Sequence, residues 1–169
     1  LIGYFLLLKL VVAPDAPAGA DSLSKDGNIA FYIDRLLLPD NIYKPGVYDP
    51  EGILSTIPAV VTAMLGMFTG RYVKESPATG ERKTLNMLAA AIVMAIVAVV
   101  WAHWFPVIKK LWTSTFVLAC GAWSIGLFAV FYYQIDVRGW RKGTVFFQVV
   151  GMNSITIYLG QAILRFDSM

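Results

Sequence analysis

The chain has 169 residues, of which 57% are hydrophobic and 15% charged; soluble domains carry nearer a quarter of charged residues. The net charge of +3 is spread over separate segments with no basic patch, which excludes a nucleic-acid partner. One cysteine, Cys120, excludes an internal disulfide and reads as a small buried apolar residue.

Several apolar runs reach or approach the length that crosses a bilayer. The expected class is therefore all-α, a polytopic membrane helix bundle with four full transmembrane helices and a partial one at the N-terminus. No Cys/His metal spacing is present, and no P-loop, no GxSxG, no GxGxxG after a strand and no repeat.

Residues 1–12, LIGYFLLLKLVV, are too short to span alone and read as the end of a truncated transmembrane helix, in a fragment of a longer protein. Residues 13–51 are polar, with seven acids against three bases, which suits a non-cytoplasmic loop. Within them 28–38, NIAFYIDRLLL, place Ile29, Phe31, Ile33, Leu36 and Leu37 at helical spacing, a short amphipathic helix.

Residues 52–169 are expected to hold the four spans. The first, 52–73, follows Asp49 and Glu51 in a DPEG segment. Its 19 uncharged residues, 52–70, would cover about 28 Å before Arg71. Acid at the entry and base at the exit orient it from outside to inside. Pro58 should bend the helix near Leu54, and Gly66 with Gly70 permits close approach by another helix. The two carboxylates read either as a helix N-terminus or as the mouth of a membrane-embedded site.

The turn 74–84, with Arg71, is net +2 and suits the cytoplasmic side. The second span, 85–104, ends in WAHWF, where His103 is a structural hydrogen-bonder or a general acid/base. The connection 105–111 carries Lys109 and Lys110 on the acidic side; they snorkel, pair with Asp49 or Glu51, or hold an anionic substrate group. In the third span, 112–134, the hydroxyls of Thr113, Ser114 and Thr115 cap the helix or bond a sugar or phosphate. Arg138, Arg141 and Lys142 follow in 135–142, where lipid phosphate or an anionic cofactor would meet them. The fourth span, 143–164, has Asn153 and Ser154 near the midplane. They should face the bundle, as glue between helices or as a ligand-facing wall.

Three stretches, YDPEGILSTIPAVVTAMLGMFTGR, FPVIKKLWTSTFVLACG and VFYYQIDVRGWRKGTVFFQVVGMNSITIYLGQ, resemble in order and spacing the C-terminal part of the heparan-α-glucosaminide N-acetyltransferase family. Bacterial members are also described as N-acetylglucosamine-related transporters. The resemblance covers 36–161. It implies transfer of an acetyl group from cytoplasmic acetyl-CoA to an amino sugar on the far side of the membrane. It also implies more membrane helices than this chain holds, and a catalytic His in the absent N-terminal half rather than at His103. By position, Asp49, Glu51, Lys109, Trp112, Asn153 and Ser154 would line the cavity, orient the acceptor or hold the bundle together. The implied partners are the bilayer, the N-terminal half of the same protein and an amino sugar, with a homodimer left open. The implied location is the bacterial inner membrane. A sugar-transporter domain and a non-catalytic structural half are the other readings.

Overall fold

The computed structural model describes residues 1–38 and 52–164. Its described part is all-helical: α1 (Ile2–Leu10), α2 (Ile29–Leu37), α3 (Thr56–Glu75), α4 (Gly80–Ala102), α5 (Ser114–Tyr132), α6 (Thr144–Met152) and α7 (Ser154–Leu164). A 3-10 turn, Lys109–Leu111, precedes α5, and a π turn, Tyr133–Val137, extends it.

Two helices are long and apolar enough to cross a membrane, α4 with 23 residues and α5 with its π extension, 24 residues. They form an antiparallel hairpin. Small residues bring it close: a β-carbon on Gly121 would stand 2.6 Å from Met94 and 3.2 Å from Leu65, so α3, α4 and α5 meet there. Most of the apolar surface of α4 and α5 is left uncovered by this chain, the pattern of helices whose partner is lipid or further helices.

The other two expected spans differ from the sequence reading. The first starts later, at Thr56, because 52–55 form a turn in which the Ser55 hydroxyl donates to the Gly52 carbonyl at 2.7 Å. Pro58 therefore falls in the first helical turn, where backbone N–H groups have no helical partner and a missing donor costs little. The expected bend at Leu54 does not arise, since no helix has begun there. Twenty residues of α3 would cover about 30 Å, but Arg71, Lys74 and Glu75 occupy its last turns. No described residue packs within 4 Å of a β-carbon at Gly66 or Gly70; both instead line a hollow of about 440 Å³ between α3 and α5. The fourth expected span is interrupted: α6 ends at Met152 and α7 begins at Ser154, with Asn153 outside helical geometry at φ −107°, ψ 18°.

One end of the bundle, here the cap end, carries the buried core. Tyr4, Leu8, Ile29, Ala30, Phe31, Phe105 and Leu111 form it, with Phe5 edge-on to Trp101 and Phe105 at 5.4 and 4.9 Å. Full burial of Leu8 or Phe105 contributes about 1.5–3 kcal/mol each. The amphipathic reading of α2 holds for Ile29 and Phe31, which are buried, whereas Leu36 and Leu37 are exposed. Asn28 caps α2 through its side-chain oxygen (2.9 Å to the Ala30 N–H) and donates to the Ser22 carbonyl at 2.8 Å, fastening the 13–28 loop to the helix.

The opposite end, the basic end, holds the 76–79 turn and the loop after the π turn. There Lys83 Nζ donates to the Val73 carbonyl at 2.8 Å, a cation on the negative end of α3.

Candidate functional site

The sequence-predicted residues divide into three groups. Lys109 and Trp112 stand together at the cap end. Asn153 and Ser154 lie on other elements, at the α6–α7 break. Asp49 and Glu51, with their expected pairing to the lysines, fall outside the described residues.

Trp112 is the most constrained of them. It ends the 3-10 turn in the left-handed region, φ 48°, ψ 47°, and is the only described residue other than glycine with positive φ. A bulky side chain there is strained, and such strain persists only where the surroundings over-determine it. Three contacts do so. The indole N–H donates to Thr62 Oγ1 on α3 at 3.2 Å. The ring meets Phe116 edge-on at 5.4 Å. The preceding Leu111 is buried, and its carbonyl accepts from the Tyr4 hydroxyl at 2.7 Å. The indole is half-buried, and Lys109, three residues earlier, is exposed beside it in sequence. The result is a rigid turn that presents an aromatic face and a cation.

The hydroxyl triplet after Trp112 is fully buried and consumed by the fold. Thr113 Oγ1 accepts from the Ile108 N–H at 3.0 Å and, as the α5 cap, from the Phe116 N–H at 3.4 Å; both it and Thr115 donate toward the Pro106 carbonyl at 3.1 Å. Ser114 donates to the Leu1 carbonyl at 2.8 Å. The capping reading holds, and no hydroxyl of the three is left for a sugar or phosphate. His103 also makes a structural contact. Its Nδ1 stands 3.1 Å and 3.2 Å from the carbonyls of Val99 and Val100. Carbonyls only accept, so this nitrogen carries the proton and closes the end of α4.

A residue the sequence reading passed over organises the mouth. Asp34 is 2% exposed on α2, and its Oδ1 accepts from the Ile53 N–H at 2.8 Å just before α3. A β-carbon on Gly52 would overlap the Asp34 carboxylate. Asp34 thus ties α2 to the entry of α3, while Arg35 holds Asp15 of the loop at 2.9 Å. The signal was available: Asp34 follows Ala30 by four positions, so a helical Asp34 must share the buried stripe.

Asn153 and Ser154 do not face the bundle as expected. Both are exposed among the described residues, and the Asn153 amide turns back to donate to the Val149 carbonyl at 2.8 Å. Asn153 thereby closes the end of α6 locally.

No protein-family model matches the chain. It is similar to heparan-alpha-glucosaminide N-acetyltransferase of Mus musculus, 33% identical over 170 residues, which cover 88% of this chain and 26% of the relative. It is equally similar to heparan-alpha-glucosaminide N-acetyltransferase of Homo sapiens, 33% identical over 188 residues, covering 97% of this chain and 28% of the relative. The chain spans about a quarter of the length of these curated relatives. One residue in three is shared along nearly the whole chain, a likeness consistent with a C-terminal part, and the chain belongs to the heparan-alpha-glucosaminide N-acetyltransferase family.

Proposed function

We infer that this chain is the acceptor-side portion of a membrane-bound N-acetyltransferase that acts on an amino sugar. In this reading α3, α4, α5 and the broken α6–α7 pair cross the bilayer, with the basic end in the cytoplasm and the cap end on the far side. The observation that carries the reading is the Trp112 turn. A strained, over-determined aromatic residue next to an exposed lysine is a positioning surface. Its indole face would pack on the apolar face of a sugar ring. Lys109 would hold an anionic group on the same acceptor, and Asp49 and Glu51 would meet its ammonium. Asn153 and Ser154 put polar groups at mid-depth, where irregular backbone is tolerated only against protein or a water-filled cavity.

The described residues do not fit acetyl-CoA by themselves. Two hollows of about 440 Å³ along the described bundle carry no cation, and a hollow edged by Lys142 measures about 290 Å³, too small for a nucleotide with a pantetheine arm. The donor, and the base that takes the amine proton, are assigned to the remainder of the protein. The residues of this chain bind and orient the acceptor.

The full-length protein in vesicles, given acetyl-labelled CoA outside and glucosamine within, tests this. Label on the sugar is expected, and Trp112→Ala should raise the acceptor KM about tenfold, the loss of roughly 1.4 kcal/mol. The interrupted α6–α7 favours one second reading, because discontinuous helices at mid-depth are a mark of transporters. Accumulation of unmodified sugar would select it. Absence of both label and uptake would overturn both readings.

A further inference from the structure

We propose that the hollow at the basic end, between the π turn, the 138–143 loop and the start of α6, seats the headgroup of an anionic phospholipid. The proposal rests on the helices crossing a bilayer and not on the transferase reading.

The hollow encloses about 290 Å³ and is lined by Phe131, Gln134, Trp140, Lys142 and Phe147, among others. Two backbone bonds of 2.9 Å shape it: Arg138 N–H to the Tyr133 carbonyl, and Trp140 N–H to the Gln134 carbonyl. They fold the loop back onto the π turn, a helix irregularity common at functional sites. Trp140 and Lys142 are thereby set over the end of α5.

The chemistry divides across the hollow. At its rim Lys142, with its neighbour Arg141, is exposed, and among the described residues neither is in an ion pair. Arg138 is already committed, its guanidinium 5.3 Å from the centre of the Tyr133 ring. At the other side Phe131 and Phe147, 5.7 Å apart, continue the apolar surface of α5 and α6. Exposed Trp140 is the residue type that marks the membrane–water boundary. A cationic rim joined to an apolar wall at that boundary matches a molecule with a phosphate at one end and an acyl chain at the other. Basic pockets between spans at the cytoplasmic surface bind such headgroups. A free phosphate would satisfy the rim and leave the wall unused.

The test uses the full-length protein, purified and delipidated, with lipid retention read by native mass spectrometry. Phosphatidylglycerol and phosphatidylcholine are compared as probes, with inorganic phosphate as competitor. Phosphatidylglycerol should be retained over phosphatidylcholine. The pair Arg141→Gln and Lys142→Gln should lower that retention about 25-fold, roughly fivefold per cation, whereas Arg141→Lys with Lys142→Arg should preserve it. Lys74→Gln, an exposed cation at the same end, should change it less than twofold. Equal retention of the two lipids would overturn the proposal, as would a loss in Lys74→Gln matching the pair. Displacement of the lipid by millimolar inorganic phosphate would also overturn it, because the apolar wall would then contribute nothing.

Discussion

Replacing Asp34 tests whether a single buried carboxylate joins the cap to the bundle. The side chain is 2% exposed and accepts the Ile53 N–H at 2.8 Å. Asp34→Ala removes a charge-assisted hydrogen bond, worth about 1.5–3 kcal/mol, and leaves the Ile53 N–H without that acceptor. A loss of about 3 kcal/mol is expected. Asp34→Asn keeps an oxygen for Ile53 and should cost about 1 kcal/mol. Gly52→Ala attacks the same joint from the other side, since its β-carbon would overlap the carboxylate. A loss of about 2 kcal/mol is expected, through displacement of Asp34. Because both changes break one contact, the double variant Asp34→Ala with Gly52→Ala should cost clearly less than the sum, a coupling of at least ~1 kcal/mol. The assay is thermal unfolding of the full-length protein in detergent, followed by tryptophan fluorescence. Strict additivity of the two losses, or an Asp34→Ala midpoint equal to that of the unaltered protein, would refute the reasoning.

Three further outcomes follow from the packing. Trp112→Phe keeps the ring and removes the donor to Thr62 at 3.2 Å, so it should lose about 1 kcal/mol of stability and raise the acceptor KM more than it lowers kcat; steady-state kinetics separates the two. Gly121→Val puts a side chain where a β-carbon already stands 2.6 Å from Met94, and overpacking there should cost about 1–3 kcal/mol, read from the same melts. If His103 serves only to close the end of α4 through Nδ1, His103→Gln should alter acetyl transfer less than threefold across the pH range, since Nε2 is the ring atom left for acid or base work. A pH–rate profile that loses a limb in this variant would restore the histidine as acid or base.

The α4–α5 hairpin was legible in the sequence because long uncharged runs carry their own signal, set by the thickness of lipid rather than by neighbours. α2 was legible for the same kind of reason: its apolar spacing depends only on helical periodicity. What escaped depended on three-dimensional company. The break at Asn153 lies in a run as apolar as a continuous span, and the return of its amide to the Val149 carbonyl follows no pattern that the run displays. Pro58 reads as a kink until the turn at 52–55 delays the helix start to Thr56, which leaves the proline in the first helical turn. The sequence places Lys109 and Trp112 close together ahead of α5, but the left-handed backbone of Trp112 has no signature when the residue is not glycine. Thr62 and Tyr4, which hold that turn, sit far away in the chain, and one sequence gives no means of pairing them.

The ties between the first residues and the start of α5 also set an order of events. Tyr4 reaches Leu111 across 107 positions, and Ser114 reaches Leu1 across 113. Contacts this distant in the chain are slow to form, because the intervening segment must be closed into a loop before they repay the entropy lost. The hairpin of α4 and α5 can assemble from neighbouring sequence as it is made, whereas the aromatic turn at Trp112 gains its tie to Tyr4 only when α1 docks. The Trp112 turn is thus completed by contacts that wait on the closure of a loop of more than a hundred residues.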